Sequence, residues 1–170
     1  MLSAAHQSVL DALFEHMCRY EAQNVHRIQH LTKVRAYAAY IGRAEALPDE
    51  KQFLLEAVAL IHDIGIRPAE EKYGRHDGPY QEKEGAPRAE AILTEFGFSP
   101  ADAARGAYIV GHHHTVQAVD DTVFRIIMEA DALVNLEERG TAPQGVRETV
   151  EAVFRTYTGK RLAAHMYGEN

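Results

Sequence analysis

The chain has 170 residues, 46% hydrophobic and 25% charged, a composition typical of one soluble domain with its own core. Its formal net charge of −7 argues against a nucleic-acid duplex as a partner, because a duplex is bound by a basic face. A single cysteine, Cys18, excludes an intramolecular disulfide framework and suits a reducing compartment. The sequence shows neither a secretory signal nor an apolar run of the roughly 18 residues that a membrane span needs. We therefore expect a cytoplasmic protein without membrane contact.

Apolar residues recur at helical spacing along most of the chain, and strand-like alternation is nearly absent. The first half contains three predicted helices, at about residues 9–17, 24–42 and 48–63, with Gly65 as the stop of the third. Residues 66–80 combine prolines, glycines and many charges, so we predict a surface loop there.

Helical spacing resumes in the second half, in a helix that begins near Gly85 and ends at about Phe96. Three further helices are predicted at about residues 99–112, 121–136 and 144–157. No internal repeat or long linker divides the chain. The sequence thus predicts an all-α, single-domain helical bundle of about seven helices.

The dipeptide His62-Asp63 is the most informative feature, because it lies in residues 53–66, a segment in which ten of fourteen residues are apolar. Burying an imidazole and a carboxylate without partners is costly, so some group must compensate them. A hydrogen bond between the two side chains in the core would do so. A divalent metal ion would also do so, because it takes both groups as ligands.

Other polar residues interrupt apolar helix faces in the same way, namely His30, Asp131 and the run His112-His113-His114. Each is explained on its own by solvent exposure or by a local hydrogen bond. Together, two histidines and two carboxylates occupy the core sides of three predicted helices, and a bundle brings such groups to its centre. The set that suits Mn, Fe, Co, Ni, Zn or Mg consists of His30, His62, Asp63 and Asp131. A satisfied polar core remains the alternative to a metal site.

Four segments occur in a defined order: His30-Leu31-Thr32-Lys33-Val34, His62-Asp63-Ile64-Gly65, Ile109-Val110-Gly111-His112-His113 and Glu129-Ala130-Asp131-Ala132-Leu133. This order resembles the HD-domain metal-dependent phosphohydrolases, an all-α superfamily named after its central His-Asp. The resemblance implies an HD-type metal-binding domain over residues 24–137. Residues 1–23 would form an N-terminal helix that caps this core, and residues 138–170 a C-terminal helix packed on the same domain.

The resemblance also implies roles for individual residues in metal binding. His30, His62, Asp63 and Asp131 would bind the first divalent metal ion. A second ion, present in some relatives, would use His112 and His113. Glu82 would then stand where those relatives have a histidine.

The chemistry implied is hydrolysis of a phosphate monoester or diester by a metal-bound hydroxide, since a divalent metal lowers the pKa of bound water to about 7. Asp63 would orient the water, and His112 or His113 would protonate the leaving oxygen. The substrate phosphate would be bound by Lys33, one turn after His30, together with Arg67 and Lys72 from the predicted loop.

A nucleotide or another small phosphorylated metabolite is the expected substrate, since the resemblance favours nucleotides. Two alternatives stay open. One is a di-iron oxygenase of the HD-domain type, which requires a full six-ligand set. The other is a non-catalytic nucleotide-sensing domain. Helical domains of this size often dimerise, so a homodimer is also an open expectation.

Overall fold

The structure is a computed structural model that describes residues 1–168, so the last two residues of the predicted C-terminal region lie outside it. The described residues form helices and connecting turns, without a β-strand, which confirms the predicted all-α fold. Nine α-helices are present in this range: α1 (Ala4–Tyr20), α2 (Val25–Ala44), α3 (Asp49–Ile61), α4 (Ile66–Tyr73), α5 (Gly78–Glu95), α6 (Pro100–Val110), α7 (Thr122–Glu138), α8 (Pro143–Val153) and α9 (Tyr157–Tyr167). A short 3₁₀ helix, Val116–Ala118, precedes α7.

Helix α3 forms the centre of the bundle. Every residue from Leu54 to Ile61 is buried, and the helix packs against α1, α2, α5, α6 and α7. Its one buried acid in this stretch, Glu56, is balanced by Arg35 at 3.3 Å. The end of α3, where His62 and Asp63 follow, therefore lies inside the protein. Within the described range, each helix is too short or too polar to form a membrane-spanning segment.

The prediction of a surface loop over residues 66–80 is wrong, because Ile66–Tyr73 forms helix α4. Pro68 occupies the third position of this helix, where the missing N–H costs no internal hydrogen bond. Gly74, with a φ of 68°, ends the helix in the left-handed conformation that favours glycine. Proline and glycine here mark the two ends of a short helix rather than a loop.

Helix α5 begins at Gly78, earlier than the predicted start near Gly85. Its first two turns are mostly polar, so apolar spacing gave no sign of them. The glycines of this region instead allow close packing, because a Cβ atom on Gly65 would lie 2.0 Å from the carbonyl oxygen of Gln81 and 2.7 Å from the nitrogen of Gly85. The turn after His62-Asp63 thus rests directly on the backbone of α5.

The predicted last helix, residues 144–157, is in fact two helices, which brings the total in the described range to nine rather than about seven. Helix α8 ends at the buried Phe154. Thr156 then caps α9, because its side-chain oxygen accepts a hydrogen bond from the Gly159 nitrogen at 2.9 Å. Buried Glu129 of α7 accepts hydrogen bonds from the nitrogens of Arg155 and Thr156 at 2.6 and 2.8 Å. This carboxylate compensates the backbone groups that the break exposes.

Candidate metal centre

His62 and Asp63 lie in the turn that follows α3. The imidazole of His62 is 1% exposed, and its Nδ1 donates a hydrogen bond to the carbonyl oxygen of Ala59 at 2.9 Å. Because a carbonyl oxygen only accepts, Nδ1 carries the proton in the neutral ring and Nε2 presents a lone pair. The end of the helix thereby fixes the orientation that a metal ligand requires.

Two helices bring the other predicted ligands to this point. His30 comes from α2 and Asp131 from α7. The Nε2 atom of His30 lies 3.3 Å from that of His62, and Asp131 Oδ1 lies 3.2 Å from the first and 3.5 Å from the second. Asp63 Oδ2 is 3.5 Å from His30 Nε2 and 3.6 Å from His62 Nε2. The structure therefore gathers all four predicted ligands of the first metal into one cluster.

His113 and His114 extend the cluster on the other side of Asp63. His113 is 2% exposed, its Nδ1 donates to the Val110 carbonyl at 2.7 Å, and its Nε2 lies 3.3 Å from Asp63 Oδ1. That buried Nε2 has no hydrogen-bond partner. Ligand atoms of Asp63, His113 and His114 all lie within 4.8 Å of one another, as do those of His30, His62 and Asp63. Asp63 is shared by both groups.

The two other residues predicted for a second metal lie outside these groups. The ring of His112 stacks on Tyr108, with centroids 4.3 Å apart, and its Nδ1 donates to the Tyr108 carbonyl at 2.8 Å. Glu82 accepts a hydrogen bond from the backbone nitrogen of His114 at 2.9 Å. Glu82 thus holds the turn that presents His114, a histidine that the sequence did not single out. The run of three histidines lies in a turn, where helical spacing cannot tell which ring faces inward.

Glu138, at the end of α7, is a functional candidate that the sequence interpretation missed. Its side chain is only 10% exposed, and Oε2 accepts a hydrogen bond from His30 Nδ1 at 2.9 Å. Its other oxygen lies 2.8 Å from Lys33 Nζ. The spacing of Asp131, Asn135 and Glu138 by four and three residues, which places them on one helix face, was the available signal.

The residues predicted to bind phosphate are engaged elsewhere. Lys33 pairs with Glu138, Arg67 with Glu71 at 3.0 Å, and Lys72 with Glu84 at 2.9 Å. None of the three lines the cavity of about 400 Å³ into which the cluster opens. Its walls include these residues: His26, Arg27, His30, Asp63, His76, Gln81, His114, Asp131, Asn135 and Arg139.

The electrostatics of the cluster favour positive charge at its centre. Burial disfavours the charged form of His62, but the carboxylates of Asp63 and Asp131 outweigh it and raise the pKa of His62 to about 9. Burial likewise opposes ionisation of the two carboxyl groups, yet the neighbouring histidines hold the pKa of each well below its usual range. A divalent cation would replace the protons that these histidines otherwise hold.

The residues present fit a divalent metal ion. Imidazole nitrogens with fixed Nδ1 partners converge with two carboxylates, and this donor set is shared by transition-metal sites in proteins. The unpartnered Nε2 of His113 is a buried acceptor that a cation would also satisfy. His30, His62, Asp63 and Asp131 would hold the ion, and His113 and His114 lie on the other side of Asp63.

The HD domain family model matches residues 27–136, which is more than half of the chain. The chain belongs to the HD domain family. All four predicted first-metal ligands lie within this HD domain. Glu138 and Arg139, together with α8 and α9, follow the matched residues.

A solved structure supports the same fold assignment for the HD domain. It is described as a predicted HD superfamily hydrolase from an uncultured Thermotogales bacterium. The two chains are 23% identical and superpose with a TM-score of 0.66, over 95% of this chain and 84% of that chain. A comparison with curated protein sequences finds no significant match.

Proposed function

We propose that this HD-domain protein is a metal-dependent hydrolase that cleaves a phosphate ester of a small metabolite. The observation that carries the proposal is a buried His-Asp cluster that opens into a polar cavity of about 400 Å³. A divalent metal ion held by His30, His62, Asp63 and Asp131 supplies, when bound, polarisation of a phosphoryl oxygen and a lowered pKa for coordinated water. The description of the Thermotogales structure as a predicted hydrolase is consistent with this chemistry.

Asp63 orients the attacking water in this proposal. It is the residue shared by both groups of the cluster, with Oδ2 near the first pair of histidines and Oδ1 3.3 Å from His113 Nε2. It also lines the cavity, so a carboxylate oxygen can accept a hydrogen bond from water beside the substrate. His114 both belongs to the cluster and lines the cavity, so in this proposal its ring, rather than that of His112 or His113, hydrogen-bonds to the leaving oxygen.

Arg139 is the best candidate for binding the substrate phosphate. Among the cations of the cavity wall, Arg27 pairs with Glu70 at 2.7 Å. Arg139 pairs with no carboxylate of residues 1–168 and keeps its guanidinium available. Guanidinium groups bind phosphate oxygens through two parallel hydrogen bonds. Lys33, Arg67 and Lys72 would first have to leave their glutamate partners.

The test is release of phosphate from a panel of phosphate esters by protein loaded in turn with Mn, Fe, Co, Ni, Mg and Zn. We expect turnover that falls to background in Asp63→Ala and persists in Asp11→Ala, which removes an exposed carboxylate of α1. Metal content is measured on every sample. If protein that contains metal releases no phosphate from any of the substrates, the proposal is contradicted. Full activity of Asp63→Ala would contradict it as well.

A further inference from the structure

The composition of the cavity wall bears on the kind of molecule that it binds. Thirteen described residues line the cavity, and only Ile66 among them is aliphatic, with no Phe, Tyr or Trp side chain. Sites for nucleobases normally offer an apolar or large aromatic face on which the base stacks, whereas the only rings of this wall are the small polar imidazoles of its four histidines. The remaining wall consists of charged residues, histidines and the three carboxamides Asn24, Gln81 and Asn135.

Gln81 is the most informative of the three carboxamides. It lies on α5, is only 7% exposed, and its Oε1 is buried without a hydrogen-bond partner. A buried carbonyl oxygen in this state is costly unless a donor reaches it. The backbone of Gln81 is held by the close packing of Gly65 against its carbonyl oxygen. The position of this residue in the wall is therefore fixed by its backbone, and its side-chain acceptor is left for a ligand.

Asn24 and Asn135 each use one end of the carboxamide internally. The side-chain oxygen of Asn24 accepts from the Arg27 nitrogen at 3.1 Å, which leaves its NH₂ group as a donor. The Nδ2 of Asn135 donates to Asp131 Oδ1 at 2.8 Å, which leaves its oxygen as an acceptor. A hydroxyl group both donates and accepts, so a ligand with several hydroxyls satisfies all three carboxamides.

We infer that the substrate is a small polyhydroxylated phosphate ester, of the sugar-phosphate or polyol-phosphate class, and that Gln81 accepts a hydrogen bond from one of its hydroxyl groups. This inference rests on the proposed function and makes it more specific. It also departs from the nucleotide substrate that the family resemblance favours.

The experiment compares phosphate release from three groups of esters by the metal-loaded protein. The first group contains glucose, ribose and glycerol phosphates, the second adenosine and thymidine monophosphates, and the third is propyl phosphate, which lacks hydroxyl groups. We expect the highest kcat/KM for a member of the first group. Gln81→Met should raise the KM for that ester about threefold to tenfold, the effect of one lost neutral hydrogen bond, and leave propyl phosphate unchanged.

The melting temperature of the free protein separates a role in binding from one in folding. Because Gln81 Oε1 has no partner to lose, Gln81→Met should keep or raise the melting temperature. Gln52→Met is the matched control. Gln52 is also buried with an unpartnered Oε1, but it lies outside the cavity and its Nε2 donates to Glu56 at 2.8 Å and to the Ala39 carbonyl. The Gln52→Met substitution should lower the melting temperature and leave the KM unchanged.

The possible failures are distinguishable. Nucleotides hydrolysed in preference to sugar and polyol phosphates, with a KM indifferent to Gln81→Met, would overturn the inference and leave the proposed function standing. An equal rise of KM for propyl phosphate would overturn the role of Gln81 in hydroxyl recognition. No release from any ester would overturn the proposed function, and the inference would fall with it.

Discussion

Removing the carboxylate of Glu138 should weaken metal binding, although Glu138 is not one of the predicted metal ligands and acts through His30. Glu138 Oε2 accepts from His30 Nδ1 at 2.9 Å in a largely buried setting, so it fixes the tautomer of His30 and makes the ring more basic. Losing such a partner typically costs 10- to 100-fold in affinity, or about 1.4–2.7 kcal/mol. The loss of metal affinity in Glu138→Ala should fall in this range. Glu138→Gln keeps a hydrogen-bond acceptor but loses the charge, which is worth about 1 kcal/mol, so we expect an affinity loss of about fivefold.

The assay is competition between the protein and a chromophoric chelator for Zn or Mn at fixed pH. Glu137→Ala is the matched control, because Glu137 also pairs with Lys33, at 3.2 Å, but is mostly exposed. We expect Glu137→Ala to bind the metal as tightly as the wild type, Glu138→Gln to bind it more weakly, and Glu138→Ala to bind it most weakly. Equal affinities for all four proteins would refute the reasoning. So would a loss in Glu137→Ala as large as that in Glu138→Ala, since it would assign the effect to Lys33.

Three further outcomes are expected. Gly65→Ala should destabilise the fold by at least about 2 kcal/mol in thermal unfolding, because its Cβ would lie 2.0 Å from the Gln81 carbonyl oxygen; an unchanged melting temperature would contradict this packing. In the metal-free protein, the raised pKa of His62 contributes stability that is complete below pH 6.5 and is lost as the pH rises through about 9. Denaturant titrations should show this fall, and a rise would contradict it. His113→Ala should lower metal affinity in the chelator assay and His112→Ala should not; equal effects would refute the inward orientation of His113.

The fold and the first-metal cluster were largely accessible from the sequence. Polar residues at apolar helix positions are rare enough that His30, His62, Asp63 and Asp131 stood out, and a bundle has one centre where they can meet. The structure places carboxylate oxygens of Asp63 and Asp131 3.2–3.6 Å from the Nε2 atoms of His30 and His62. Helical spacing also predicted α2, α3, α6 and α7 close to their observed bounds, and α1 without its first five residues.

The remaining features depend on contacts that sequence spacing does not encode. Helix α4 has proline in its first turn and few apolar residues, so its composition resembled a loop. The cations Lys33, Arg67 and Lys72 are sequence neighbours of the ligands, but each meets a glutamate from a different turn or helix. Arg139, which lines the cavity, lies eight residues after Asp131 and carries no local pattern of its own.

The hydrogen bonds between Glu129 and the residues just before α9 make the site depend on residues that follow the HD domain match. Glu129 lies two residues before Asp131, and its fully buried carboxylate is satisfied by backbone nitrogens from residues 155 and 156. The C-terminal helices therefore brace α7 at the level where it supplies a metal ligand. A segment limited to residues 27–136 would keep the ligands but lose both the hydrogen-bond partners of that carboxylate and residues that pack over it. Transplanting the HD core into another protein would thus require its C-terminal brace as well.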